Sequence, residues 1–354
     1  MEITRLRAHL RRYVSSEVFW ILLVCIVALG VATYERSVRA TSDRAAAEPT
    51  AMLFVGDVML ARHVETLMEV HGSYYPFTGV RDFFAEHQYV VGNFEGSIPE
   101  NHARTPNGAM RFSVPQAAAT VLARVGFTDL SLANNHALDY GRGGYEHTRA
   151  VLTDAGIVVA GDPQRVDAEE VLYRTIDGVV VGIIPLSAVS VWPSAEALER
   201  TVAEVSEKSD LQIAYVHWGT EYVPLAGNRE QALAHTLVDL GVDAVIGHHP
   251  HVVQQVEEYR GAPIFYSLGN FVFDQYWNDA VREGLAISLT IANGEARYTL
   301  VPLSSEAARS VPVPMERPAR AQFLDDIAAR SDETLASAIR RGLIVESIPA
   351  LASS

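Results

Sequence analysis

The sequence predicts a layered α/β sandwich with a largely parallel core, and three observations lead there. From residue 52 onward, short apolar runs alternate with helix-length segments, which is the pattern of strand–helix–strand crossover units. Two strand pairs are joined instead by Asp177-Gly178 and Asn293-Gly294, hairpin signals that add antiparallel strands. Polar residues of ligand type recur just past the apolar runs, at the strand ends where open α/β sheets form their binding crevice.

Taken in order, the first 50 residues stand apart. Arg5, Arg7, Arg11 and Arg12 precede an apolar run from Val18 to Thr33, with Trp20 and Tyr34 near its ends. Basic flank, length and interfacial aromatics read as a signal-anchor helix over 18–34. A basic cytoplasmic segment (1–17) precedes it, a Ser/Thr/Ala-rich linker (35–50) follows, and the main domain lies outside the cell membrane. A cleaved signal peptide is the alternative. The only cysteine, Cys25, falls inside the run, so the exported part has no disulfides and depends on its core. Residues 1–50 carry a net +2 of the chain's −15, leaving −17 on the rest. That balance excludes a nucleic-acid partner, which needs clustered cations.

The main domain is expected over 51–303. Met52–Val55 is a strand broken by Gly56-Asp57, and Tyr89–Val91 another, broken by Gly92-Asn93-Phe94-Glu95. A helix over 115–125 stops at Gly126; the strand Thr128–Leu132 then meets Ala133-Asn134-Asn135-His136. Gly144–Ala155 is helical and Ile157–Ala160 extended. The hairpin strands Glu170–Ile176 and Val179–Leu186 lead to a helix, Ser194–Val205. Leu211–Val216 is a strand ending at His217, Asn228–Leu240 a helix, and Ala244–Ile246 the strand before Gly247-His248-His249-Pro250-His251. Pro263–Ser267, Gly284–Ile291 and Ala296–Leu303 complete the sheets. Residues 304–354 read as an extension, Ser/Pro-rich to 318 and helical over Ala319–Arg341.

Asp57, Glu95, Asn135, His136, His217, His249 and His251 thus come from five distant segments to one sheet edge. Carboxylate, amide and imidazole without thiolate suit Mn, Zn, Fe or Mg. Two ions sharing a bridging carboxylate account for so many ligands. Pro250 biases His249 toward extended geometry, fanning His249 and His251 out rigidly. Arg62, Asp139 and Glu221 lie near enough to support the ligands from behind. Singly, each residue also reads as an ordinary turn, cap or hydrogen-bonding group. His9, His71, His87, His102, His147 and His235 read as surface or helix residues.

Six ordered motifs carry a resemblance. Phe54-Val55-Gly56-Asp57-Val58-Met59-Leu60, Asn93-Phe94-Glu95-Gly96-Ser97-Ile98, Ala133-Asn134-Asn135-His136, His217-Trp218-Gly219-Thr220-Glu221-Tyr222, Gly247-His248-His249-Pro250-His251-Val252 and Tyr266-Ser267-Leu268-Gly269-Asn270-Phe271 closely resemble the CapA family of poly-γ-glutamate capsule biosynthesis proteins. That family is similar to the calcineurin-like metallophosphoesterases. The resemblance therefore implies a four-layered α/β/β/α sandwich and one or two divalent ions. It implies Asp57, Glu95, Asn135, His217, His249 and His251 as ligands and His136 as general acid or charge stabiliser. Asn93, Asn134, His248 and Asn270 are neighbours of that set. Met59 stands where the superfamily's first-motif histidine would be, and Glu95 occupies the region of the bridging aspartate with different spacing. The implied role is capsule or poly-γ-glutamate synthesis or export, with a capsule synthase complex and an anionic polymer or phosphorylated substrate as partners. A non-catalytic polymer-binding or synthase-assembly factor, and a periplasmic phosphoesterase for small substrates, are the alternatives.

Overall fold

A computed structural model of the chain describes residues 51–348. The signal-anchor expected at 18–34 lies outside the described residues. Among those residues, no helix is long and apolar enough to cross a membrane.

In chain order the elements begin with β1 (Met52–Val58), α1 (Arg62–His71), α2 (Arg81–Ala85), β2 (Tyr89–Phe94), α3 (Ala117–Val125), β3 (Asp129–Ser131), α4 (Gly141–Asp154) and β4 (Val158–Ala160). The middle of the chain gives β5 (Leu172–Ile176), β6 (Val179–Ser187), α5 (Ala195–Ser206), β7 (Leu211–His217), α6 (Asn228–Leu240), β8 (Ala244–His248), β9 (Val256–Tyr259), β10 (Ala262–Phe265) and β11 (Asn270–Val272). It closes with β12 (Glu283–Ala292), β13 (Glu295–Ser304), β14 (Val313–Pro314), α7 (Ala319–Arg330), α8 (Glu333–Arg341) and β15 (Leu343–Ser347).

Two mixed sheets result. One runs β14-β13-β12-β1-β2-β3-β4, with β11 added on β1 and β15 on β13. The other runs β5-β6-β7-β8-β10-β9. Strands β1 to β4 pair in parallel, as do β6, β7, β8 and β10. Both hairpins form where expected, with Asp177-Gly178 and Asn293-Gly294 all at the positive φ that a tight two-residue turn requires.

Strand periodicity explains how the layers stack. Alternate residues of β1 face opposite ways: Leu53 and Val55 enter an outer core with α1–α4, while Met52 and Phe54 enter a core shared with the second sheet. On β7, Ile213 and Tyr215 join that shared core, and Ala214 and Val216 face α5 and α6. The order is helices, sheet, sheet, helices. Residues beyond 304 complete the sandwich: Phe323, Leu324 and Ile327 of α7, Leu335 and Ile339 of α8, and Ile344 of β15 are buried in the shared core. The single helix expected over Ala319–Arg341 is two, broken at Ser331-Asp332, where both side chains accept backbone N–H groups of β9.

Gly56 belongs to its motif for a steric reason. A Cβ there would collide with the carbonyl oxygen of Gly269, next to Asn270, so only glycine lets β1 and the β11 entry approach.

Candidate metal centre

The carboxyl ends of β1, β2, β3, β7 and β8 converge, which brings every residue singled out as a ligand to one place. The ladder runs further than the apolar runs did. Asp57 lies within β1, Asn93 within β2, and His217 and His248 are the last residues of β7 and β8. Backbone pairing therefore fixes these side chains more tightly than a loop would.

Asp57 is the hub. Its Oδ1 accepts from Asn93 Nδ2 at 2.8 Å, and its Oδ2 from the His249 backbone N–H at 3.2 Å. His251 Nδ1 lies 3.2 Å from Oδ2, and His217 Nδ1 4.0 Å from Oδ1. Around it, His217 Nε2 meets Asn135 Oδ1 at 2.7 Å, His251 Nδ1 meets Asn270 Oδ1 at 3.0 Å, and Asn134 Nδ2 donates to Asn93 Oδ1 at 3.0 Å. His136 Nδ1 donates to Asp139 Oδ2 at 2.9 Å, which turns Nε2 toward Glu95 Oε1 at 3.6 Å. Asp139 Oδ2 also takes the Phe112 N–H, and the Phe112 ring stacks on His136 at 4.0 Å.

The backbone departs from expectation at His249. It adopts φ 93° and His251 φ 58°, where an extended pre-proline residue was expected. Such conformations cost about 1–3 kcal/mol each in non-glycine residues. The His249 N–H bond to Asp57 and the packing of both rings hold them there.

The electrostatics set the two carboxylates apart. Burial raises the Asp57 carboxyl, but the His251 hydrogen bond and nearby imidazoles outweigh it and hold the group well below its usual range. Burial, with Asp57 and Glu221 nearby, pushes Glu95 well above its own. Burial first, then neighbouring imidazoles, pushes His217 well down and His249 to about 4, so these rings are neutral ligand forms.

Glu95 is fully buried and neither carboxylate oxygen has a hydrogen-bond partner among the described residues; His249 Nδ1 has none either. Each such atom costs about 1–3 kcal/mol, against a net stability of about 5–15 for a whole domain. A divalent cation answers all three. Two sets place ligand atoms within 4.8 Å of one another: Glu95, His249 and His251, and Asp57, Glu95 and His217. Glu95 is common to both, the arrangement of a carboxylate between two ions. The donor set therefore fits one or two divalent ions.

Four residues take other positions. His248 is buried against Tyr215, with ring centroids 3.9 Å apart, and belongs to neither set. Met59 turns into the outer core and its Sδ accepts the Ala61 N–H, so it offers the site nothing. Glu221 lines the adjoining cleft, as does Arg62, whose guanidinium pairs with Asp274.

That cleft, of about 500 Å³, opens beside His136 and His251 and includes residues the sequence reading passed over: His63, Phe112, Asp274, Trp277 and Arg309. Asp274 follows Phe271-Val272-Phe273, the same strand-then-carboxylate pattern that flagged Asp57. His63 was reachable only through α1, whose first residue follows an N-cap with no side-chain bond to announce it.

Comparison with known proteins gives the family. The family model described as bacterial capsule synthesis protein PGA_cap matches residues 51–275. The PGA biosynthesis protein CapA of Bacillus subtilis is 32% identical over 73% of this chain and 73% of its own length. The capsule biosynthesis protein CapA of Bacillus anthracis is 32% identical over 75% of this chain and 70% of its own. A hypothetical protein of Thermus thermophilus, known as a crystal structure, is 22% identical with a TM-score of 0.43 over 74% of this chain and 96% of its own. The chain belongs to the bacterial capsule synthesis protein PGA_cap family.

Proposed function

We propose that this protein is a membrane-anchored, extracytoplasmic hydrolase-like member of its family, acting with divalent metal on an anionic substrate in capsule or poly-γ-glutamate synthesis or export. The observation that carries this reading is Glu95, a buried carboxylate with two orphaned oxygens common to two ligand sets. The names of the Bacillus relatives support the pathway. The apolar run at 18–33 supports the anchor.

In this reading Asp57, Glu95, Asn135, His217, His249 and His251 hold the ion or ions. When bound, a divalent ion polarises a phosphoryl or carbonyl oxygen and lowers the pKa of an attacking water. Asp139 fixes His136 with Nε2 toward the cleft, where it gives a proton to the leaving group. Neutral His217 and His249 each keep one ring nitrogen unprotonated at ordinary pH.

The purified protein with added Mn²⁺ is expected to hydrolyse a generic phosphodiester or a γ-glutamyl substrate, and His249→Ala to abolish it. Activity unchanged in His249→Ala contradicts the assignment.

The burial of Met59 in the core favours a second reading, a non-catalytic factor that binds polymer or a synthase through the same site. On that reading Asp57→Ala leaves capsule formation intact, while removal of residues 1–34 eliminates it.

A further inference from the structure

Among the described residues, Arg62 is the one cation packed against the inner wall of the cleft, and its placement has a cost. Its backbone sits at φ 53°, in the left-handed region that non-glycine residues avoid. Its side chain is 9% exposed. The guanidinium lies over two rings, Phe112 at 4.6 Å and Phe273 at 5.5 Å. Phe112 in turn stacks on His136, so one column joins Arg62 to the proton donor.

A guanidinium carries five N–H donors. Here the protein supplies acceptors for two, Asp274 Oδ1 and the Ala109 carbonyl at 3.3 Å. The Nε–H is buried and has no partner among the described residues. A desolvated cation with unused donors beside an anionic ligand set is arranged for an incoming anion. At the cleft mouth, Arg309 stacks on Tyr276 at 5.2 Å and forms no ion pair among the described residues. Within the cleft, Arg62 and Arg309 attract an anion against the chain's net negative charge.

We infer that Arg62 anchors the substrate's oxyanion, donating charge-assisted hydrogen bonds to a phosphoryl or carboxylate oxygen held between its guanidinium and the metal-ligand cluster, with Arg309 receiving a second anionic group on longer substrates. The inference deepens the hydrolase reading and rests on it for where the substrate lies.

The test is calorimetric binding to the purified, Mn²⁺-loaded full chain, with metal content measured in parallel on each variant. Two probes separate the sources of the oxyanion: inorganic phosphate and the dipeptide γ-glutamylglutamate. Arg62→Gln is expected to weaken the probe that binds by about tenfold to a hundredfold, with metal content unchanged. Asp274→Asn breaks the same ion pair yet frees the guanidinium, so it is expected to bind that probe as tightly as wild type or tighter. Arg309→Ala is expected to weaken only the dipeptide. A structural role for Arg62 predicts instead that Arg62→Gln and Asp274→Asn lose binding together, and that result overturns the inference. So does wild-type binding in Arg62→Gln, or failure of both probes to bind wild type. If Arg62→Gln does not fold, weakened binding in Asp274→Asn overturns it equally. A wild type that retains no metal, but whose phosphate binding still depends on Arg62, removes the hydrolase reading and leaves the anchor standing.

Discussion

Asp129 and Glu95 are both carboxylates at zero exposure, one on β3 and one just past β2 of the same sheet. Asp129 is closed by its own protein. Arg174 of β5 donates to both its oxygens, Oδ1 at 2.5 Å and Oδ2 at 3.3 Å, and Thr128 Oγ1 adds a bond to Oδ2 at 2.6 Å. That ion pair links the two sheets and asks for nothing further. Glu95 has no such closure: Asp57 and Glu221 lie near it, and neither of its oxygens accepts a hydrogen bond among the described residues. Burial alone therefore does not distinguish structure from function in this molecule; unmet bonding capacity does. Asp243, just before β8, falls between the two: one oxygen accepts the Gln212 N–H at 2.7 Å, and burial pushes the carboxyl up to about 6.

The largest effect expected from this contrast is in Glu95→Gln. It keeps the shape but removes the shared anion, and the protein should fold normally while losing stoichiometric metal, as read by elemental analysis. Arg174→Met should do the reverse. Stranding Asp129 costs about 3–5 kcal/mol in chemical denaturation, with metal content unchanged. Asp139→Asn should leave metal and stability near wild type but lower turnover about 10–100-fold, the range for a support residue behind a functional group, because His136 Nδ1–H then faces a neutral amide instead of the carboxylate that stabilises the protonated ring.

The smallest effect is a pH dependence at Asp243. The folded chain holds this proton more tightly than the unfolded chain, so the group's contribution is fully present below about pH 4 and is lost as pH rises through about 6. Asp243→Asn should remove that slope and raise the melting temperature by about 2–4 °C near pH 7.5, with no gain near pH 4. A gain at both pH values breaks the graded comparison.

Much of this was legible in the sequence, because strand ends announce themselves. Apolar runs that stop at Asp57, Glu95, Asn135 and His217 gave both the parallel sheets and the direction in which their polar ends point. The hairpins were legible because positive φ at both turn positions leaves few residue choices. The conformation of His249 was not legible, since local pre-proline sterics lost to the hydrogen bond its N–H donates to Asp57, nearly two hundred positions away. Nor was the role of the last fifty residues: Ile344 and Leu335 look like any helix or strand residue until the open end of the shared core is seen. The cleft wall was hidden for a similar reason. Phe112 follows no strand, and although Asp274 does follow one, only the folded chain brings the two to Arg62.

The central claim is that Glu95 is orphaned because it awaits a metal, and the metal content of the purified wild-type chain tests it most directly. The account predicts one or two divalent ions per chain, falling in Glu95→Gln while the fold is retained. An intact, folded wild type that retains no divalent ion, even after incubation with Mn²⁺ or Zn²⁺, contradicts it.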